Sequence, residues 1–245
     1  MMAVLVLRRE DEFSRTLTAS GLSVINCPVI RTEPSKDLSK LREVASRLDD
    51  FEGIFVTSAA AAQVLANAAR LEDYRGRVFV LGRRSFDILK HSGAKVVFDE
   101  GASSSAAMIA TISTEELCGK RFLFVSGERS MRTIPELVGA IADVQEIVVY
   151  RTVNKAVSES DKTSICDRAL RGEIAIACFF SPSGVESFAK QFGVEILRRT
   201  KAAAIGETTA AALRATGRQV DLIGTGDIEF ASSVVQYLRP IAKGI

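Results

Sequence analysis

Tryptophan is missing from this chain of 245 residues, and histidine occurs once. A Ser-His-Asp triad would have to be built on that one residue, His91, and no Gly-x-Ser-x-Gly turn accompanies it. His91 lies in Ile88-Leu89-Lys90-His91-Ser92-Gly93. That stretch reads as the last turn of a helix before a glycine stop, where a cation suits the helix dipole. The four cysteines, Cys27, Cys118, Cys166 and Cys178, never fall in Cys-x-x-Cys spacing. No zinc site is expected from them, and reduced structural thiols in a cytoplasmic protein are. An excess of one charge is also lacking: 32 Lys+Arg against 30 Asp+Glu leave +2, with no basic block, so nucleic acid is not an expected partner. Long apolar runs are absent. Ile174–Phe180 falls far short of the ~20 residues of a membrane helix, so no membrane association is expected. The chain opens directly on Val4-Leu5-Val6-Leu7 and then Arg8-Arg9-Glu10, which does not read as a signal peptide. There is no P-loop and no Gly-x-Gly-x-x-Gly after the first strand. Gly224-Thr225-Gly226 follows a late strand and reads as a loop. No carboxylate set is spaced for magnesium, and no lysine stands out as a Schiff-base former.

What is present is ordinary globular composition, 47% hydrophobic and 25% charged, enough for one large domain or two smaller ones. Short β-rich runs are expected at Val4–Leu7, Val24–Cys27, Gly53–Val56, Val78–Leu81, Val96–Phe98, Phe122–Val125, Ile147–Tyr150, Ala175–Phe180, Ala203–Ile205 and Val220–Ile223. Several are apolar at consecutive positions, as strands covered on both faces are. Helical spacing lies between them, for example over Ala59–Arg70, Ser85–Lys90, Ile134–Ala142, Gly184–Gln191 and Thr208–Ala215. The alternation predicts parallel sheets in an α/β fold.

The chain also repeats itself. Phe55-Val56-Thr57-Ser58-Ala59 matches Phe179-Phe180-Ser181-Pro182-Ser183 at a shift of 124 residues. At the same shift Leu81-Gly82 matches Ile205-Gly206, and Gly93 matches Gly217. Ser105–Ile109 resembles Ala231–Val235 at 126, and Val29-Ile30-Arg31-Thr32 parallels Val149-Tyr150-Arg151-Thr152 at 120. Val4–Leu7 similarly parallels Phe122–Val125. Two diverged copies of one α/β unit are expected, near residues 3–112 and 121–238. Arg31–Lys36 and Arg151–Asp161 are polar, non-periodic and equivalently placed, and read as connections.

Ligands of open parallel sheets bind beyond the carboxyl ends of the strands. The residues that follow the expected strands are Arg8-Arg9, Thr57-Ser58, Gly82-Arg83-Arg84-Ser85, Ser126-Gly127-Glu128-Arg129-Ser130, Ser181-Pro182-Ser183-Gly184 and Gly206-Glu207-Thr208-Thr209. Hydroxyls there cap helices, and the free N–H groups with the helix dipole can hold an anion. Two such rims facing each other would form a cleft for a large polyanion.

These segments resemble the uroporphyrinogen-III synthase family from Val4 to near Leu238. The resemblance rests on Phe55-Val56-Thr57-Ser58, Val148-Val149-Tyr150-Arg151-Thr152, Phe179-Phe180-Ser181-Pro182-Ser183-Gly184 and Ala204-Ile205-Gly206-Glu207-Thr208-Thr209-Ala210. It implies two parallel-sheet α/β domains joined by a two-stranded ladder. Residues 1–31 with 153–245 would form one domain and residues 36–148 the other, inserted one, with 31–36 and 148–155 as linkers. Spacing alone equally allows a sequential pair of domains. The implied reaction closes linear hydroxymethylbilane, a tetrapyrrole with eight carboxylates, to uroporphyrinogen III, losing water and inverting the terminal pyrrole. An azafulvenium cation and a spiro intermediate lie on that path, and neither cofactor nor metal is required. The resemblance further implies a monomer. It assigns substrate binding to Thr57, Ser58, Ser126, Gly127, Ser181, Ser183, Gly206 and Thr208, and the acid near the departing hydroxyl to Tyr150. Position and charge add Arg8, Arg83, Arg129 and Arg151. A non-catalytic two-domain ligand-binding protein is the competing reading.

Overall fold

The computed structural model describes residues 2–102 and 104–242. The outermost residues of the expected discontinuous domain, 1 and 243–245, lie outside the described residues. Among the described residues there are eleven strands, with helices in every interval but that between β2 and β3: β1 (Ala3–Val6), β2 (Ser23–Asn26), β3 (Ile30–Pro34), β4 (Gly53–Val56), β5 (Arg77–Val80), β6 (Lys95–Phe98), β7 (Arg121–Gly127), β8 (Asp143–Asn154), β9 (Ile174–Phe179), β10 (Ala202–Ile205) and β11 (Leu222–Gly224). The chain divides into two compact units. Met1–Arg31 and Val153–Ile245 make the first, and Thr32–Thr152 the second.

In the first unit the order is β11-β10-β9-β1-β2, and every neighbouring pair is parallel. Side chains alternate between two cores, as the period of a strand demands. Leu5, Ala177, Phe179, Ala202 and Ala204 meet Val185, Phe188 and Leu213 on one face. Val4, Val6, Ile176, Cys178 and Ala203 meet Phe13, Leu17, Phe230 and Val234 on the other. Burial on both faces is why these strands read as continuous apolar runs.

The second unit holds the order β3-β8-β7-β4-β5-β6, parallel from β8 through β6. One face is aliphatic: Ile54, Val56, Val78, Val80, Leu123, Val125 and Ile147 pack on the helix Ala59–Ala68. The other is aromatic, with Phe55, Phe79, Phe122 and Phe124 under Met108, Leu117 and Ile134. Gly53 makes that aromatic floor possible, since a Cβ there would stand 2.8 Å from the Phe122 ring and 2.9 Å from the Phe79 ring.

Each parallel sheet draws on both halves of the sequence: β1 and β2 join β9, β10 and β11, while β7 and β8 join β4, β5 and β6. In each, successive strands are added outward in opposite directions from a central pair. That pair is β1/β9 in one sheet and β7/β4 in the other, the switch point where α/β sheets bind ligands.

Three sequence expectations change. Arg31–Lys36 and Arg151–Asp161 are not plain connections. β3 occupies Ile30–Pro34, β8 runs on to Asn154, and Ser158 caps the helix Glu159–Leu170. β3 lies beside β8. Ser35 N–H donates to the Val149 carbonyl and Lys155 N–H to the Val29 carbonyl, both at 2.8 Å; one strand advances as the other retreats, so the pair is antiparallel. Its polar side chains are tolerated because the outer strand leaves them half-buried or exposed. The helix expected over Ile134–Ala142 stops at Leu137, before Gly139, a residue that weakens helices. His91 stands in the turn beyond the helix Arg83–Leu89 rather than in its last turn, and Gly93 follows with φ +85°.

All four cysteines are free thiols. Burial pushes the Cys27 thiol up to about 11 and raises that of Cys178 as well, so neither is a thiolate at neutral pH. Cys118 is exposed. A thiol reagent at neutral pH should therefore modify Cys118 first and leave Cys27 and Cys178 intact in folded protein, as read by peptide mass mapping. Equal labelling of all four would contradict the packing of β9 described above.

Candidate active site

The carboxyl edge of the first sheet carries Arg8 after β1, Ser181 and Ser183 after β9, and Gly206 and Thr208 after β10. Ser181 is the N-cap of the helix Pro182–Phe192, its hydroxyl accepting from Gly184 N–H at 3.2 Å. Pro182 at the first helical position has no N–H to satisfy. Gly206, at φ +85°, caps the helix Glu207–Ala215 without a side chain, a conformation that suits glycine. With no side-chain cap, the first-turn N–H groups of that helix remain open to an anion. Thr208 is exposed on its second residue and so is not a cap, unlike the expectation for rim hydroxyls. Ser183 is half-buried in the first turn of its own helix.

The expected pairing of the two copies shifts by one residue here. Ser58 caps the helix Ala59–Ala68, accepting from Ala61 N–H at 3.2 Å, so its counterpart is Ser181 and not Pro182. Thr57 then corresponds to Phe180. Gly82, with φ +82°, stands before its helix as Gly206 does, so the 124-residue shift holds at that pair.

Arg8 is more committed than its exposed neighbours. Its guanidinium lies 3.8 Å from the Phe180 ring centroid and pairs with Asp11 at 2.9 Å and Asp227 at 3.0 Å. Among the described residues its Nη2 is buried without a hydrogen-bond partner, an unmet donor at the β1/β9 switch point. Arg83 is exposed and pairs with Glu100; Arg151 pairs with Glu33 at 3.2 Å. The exposed Arg83–Glu100 pair exchanges partners at little cost, whereas Arg151 and Glu33 are both half-buried. Arg129 is exposed on the loop after β7.

In the second unit Thr57 and Ser58 follow β4, Ser126 and Gly127 end β7, and Tyr150 lies in β8. Ser126 is buried, 1% exposed, and its hydroxyl donates to Glu146 Oε1 at 2.8 Å. The other Glu146 oxygen accepts from Arg132 at 3.2 Å. Sequence reasoning missed Glu146. Its one signal is a carboxylate beside the apolar run Ile147-Val148-Val149, a place that calls for a partner. The register of β7 and β8 shifts at their carboxyl end: Ser126 pairs with Val148, but Gly127 pairs with Tyr150. Tyr150 is half-buried against the aliphatic core. Among the described residues its hydroxyl makes no hydrogen bond, whereas the Tyr74 hydroxyl donates to the Phe51 carbonyl at 3.0 Å. A phenol donor therefore stands unused at the carboxyl end of the sheet.

A family model described as uroporphyrinogen-III synthase HemD matches residues 11–225. The chain belongs to the uroporphyrinogen-III synthase family. A protein of Chlorobaculum parvum named uroporphyrinogen-III synthase is 29% identical over 235 residues, 91% of this chain and 93% of its own. A protein of Methanothermobacter thermautotrophicus named putative uroporphyrinogen-III synthase is 24% identical over 226 residues, 85% and 86% of the two chains. The solved uroporphyrinogen-III synthetase of Helicobacter pylori covers 98% of this chain and 100% of its own, with a TM-score of 0.65 at 16% identity. A mutant uroporphyrinogen III synthase of Thermus thermophilus gives 0.61 at 20% identity, over 99% and 100%. These two structures establish the α/β fold that the family shares with this chain. Among the described residues no group of three or more His, Cys, Asp or Glu could hold a metal ion, and no helix is long and apolar enough to cross a membrane.

The rim hydroxyls divide by local structure. Ser181→Ala removes a cap and should cost ~0.5–2 kcal/mol, whereas Thr208→Ala should leave the unfolding midpoint unchanged. Both should raise KM if both touch substrate. Wild-type KM in the two variants would leave Ser181 a cap and Thr208 a surface residue.

Proposed function

We propose that this chain closes hydroxymethylbilane to uroporphyrinogen III. The C–O bond of the terminal hydroxymethyl group breaks, water leaves, and the new ring bond forms with inversion of the terminal pyrrole. The observation that carries this reading is the family match over residues 11–225, which includes every rim residue named above except Arg8 and Arg9. The substrate's own electron-rich pyrrole expels the hydroxyl, so the chain has to bind, orient and donate. Thr57, Ser58, Ser181, Ser183 and Thr208, with the main chain at Gly127 and Gly206, hold carboxylates through charge-assisted hydrogen bonds. Ser126 contributes through Glu146. Arg8, Arg83, Arg129 and Arg151 add positive charge. Tyr150 donates to the departing oxygen. Linear hydroxymethylbilane also closes unaided to the non-inverted isomer, so rate and selectivity come from fixing its two ends in one geometry. The reading includes a monomer, and one acting in the cytoplasm, a compartment that four free thiols fit.

Incubation with freshly generated hydroxymethylbilane, followed by separation of the product isomers, tests it. Uroporphyrinogen III formed well above the blank is expected. Non-inverted isomer alone, at the blank rate, would return the chain to the class of non-catalytic ligand binders.

A further inference from the structure

Gly127 pairs with Tyr150 one step past the shift that skips Val149. Residues in register on parallel strands share a face. Unshifted pairing would set Val149 beside Gly127 and send Tyr150 to the opposite face. The shift instead brings the ring onto Gly127: a Cβ built there would stand 2.3 Å from Tyr150 Cζ, 2.6 Å from Oη and 2.7 Å from Cε2. The ring therefore occupies the volume a side chain at 127 would need. Gly127 does not have the positive φ of Gly82 and Gly206, which have nothing within 4 Å of an added Cβ. Those two are glycine for backbone reasons; Gly127 is glycine for its neighbour. The loop after β7 is hung from the same pair, with Glu128 N–H donating to the Tyr150 carbonyl and Ser130 N–H to the Gly127 carbonyl, each at 2.9 Å. Irregular pairings of this sort re-aim side chains beside active sites.

We propose that Gly127 is a positioning residue: together with the register shift, it fixes where the Tyr150 hydroxyl stands. This rests on the reading of Tyr150 as the donor to the departing oxygen, and it gives Gly127 a duty beyond main-chain contact with substrate.

Gly127→Ala, Tyr150→Phe and the double variant test it by kinetics. Gly127→Ala should lower kcat by about the same factor as Tyr150→Phe, at or below ~10², with KM little changed. The double variant should be no slower than Tyr150→Phe, because both changes remove one interaction. With fluorotyrosine incorporated at the three tyrosines, the fluorine resonance that vanishes in Tyr150→Phe should move in Gly127→Ala while the other two stay. Stability supplies a second arm. Gly127→Ala should lower the unfolding midpoint in the wild-type background, or prevent folding, and should do neither beside Tyr150→Ala, where the ring is gone. A raised KM with kcat intact, or equal destabilisation in both backgrounds, would overturn the proposal. Should wild type itself give only the blank rate, the enzymatic reading fails, and the resonances and midpoints still decide whether Gly127 holds the ring.

Discussion

Tyr150→Phe should fold normally and turn over slowly. The substitution keeps the ring on Gly127 and removes only a hydroxyl that bonds to nothing else among the described residues. No protein hydrogen bond is lost, so the unfolding midpoint should hold. A phenol hydroxyl is a hydrogen-bond donor. General acid assistance commonly contributes ~10²–10⁴-fold. The substrate pyrrole already pushes the hydroxyl out, so the fall in kcat should sit at the low end of that range or below it, with a smaller change in KM. Steady-state assay of both parameters, with the product isomers resolved, checks this. Wild-type kcat in the variant would assign Tyr150 to packing and leave positioning as the whole of catalysis.

Phe55→Ala should cost the second unit more than the loss of any rim hydroxyl. Phe55 is fully buried in β4. Its ring centroid lies 5.1 Å from that of Phe79 and 5.3 Å from that of Phe122, in the aromatic core beneath Met108 and Ile134. Truncation loses the transfer energy of the ring and leaves a cavity that its aromatic neighbours can only partly fill, ~3–5 kcal/mol in comparable sites. Whole domains are stable by only ~5–15 kcal/mol. The cores of the first unit share no residue with this one. Denaturation should therefore become biphasic, with an early transition from the second unit and a later one near the wild-type midpoint. A single unshifted transition would mean that the aromatic face carries little of the stability. Phe55→Leu, which keeps most of the volume, should lie between wild type and Phe55→Ala.

The sequence by itself determined what chain neighbours decide. The runs Val4–Val6, Ile54–Val56 and Val78–Val80 became strands because consecutive apolar residues suit a sheet covered on both faces. Ser58 and Ser181 cap helices because a hydroxyl reaches N–H groups three residues on. Gly82 and Gly206 hold equivalent turns because both need a positive φ. The length of β8 was hidden, since Asp143–Asn154 mixes polar and apolar residues where the sheet edge leaves them partly exposed. The one-residue slip that pairs Ser58 with Ser181 was hidden as well, because a shift of 124 aligns Phe55 with Phe179 by type, whereas the shift of 123 set by the two caps aligns Phe55 with Cys178. Only the tertiary structure decided which polar residues are occupied. Arg8 is held by Asp227, 219 positions away, and Ser126 faces Glu146, 20 away. The shift that brings Tyr150 onto Gly127 belongs to a ladder between separate strands. Such partners are chosen by packing and strand register, and no local rule of the chain encodes either one.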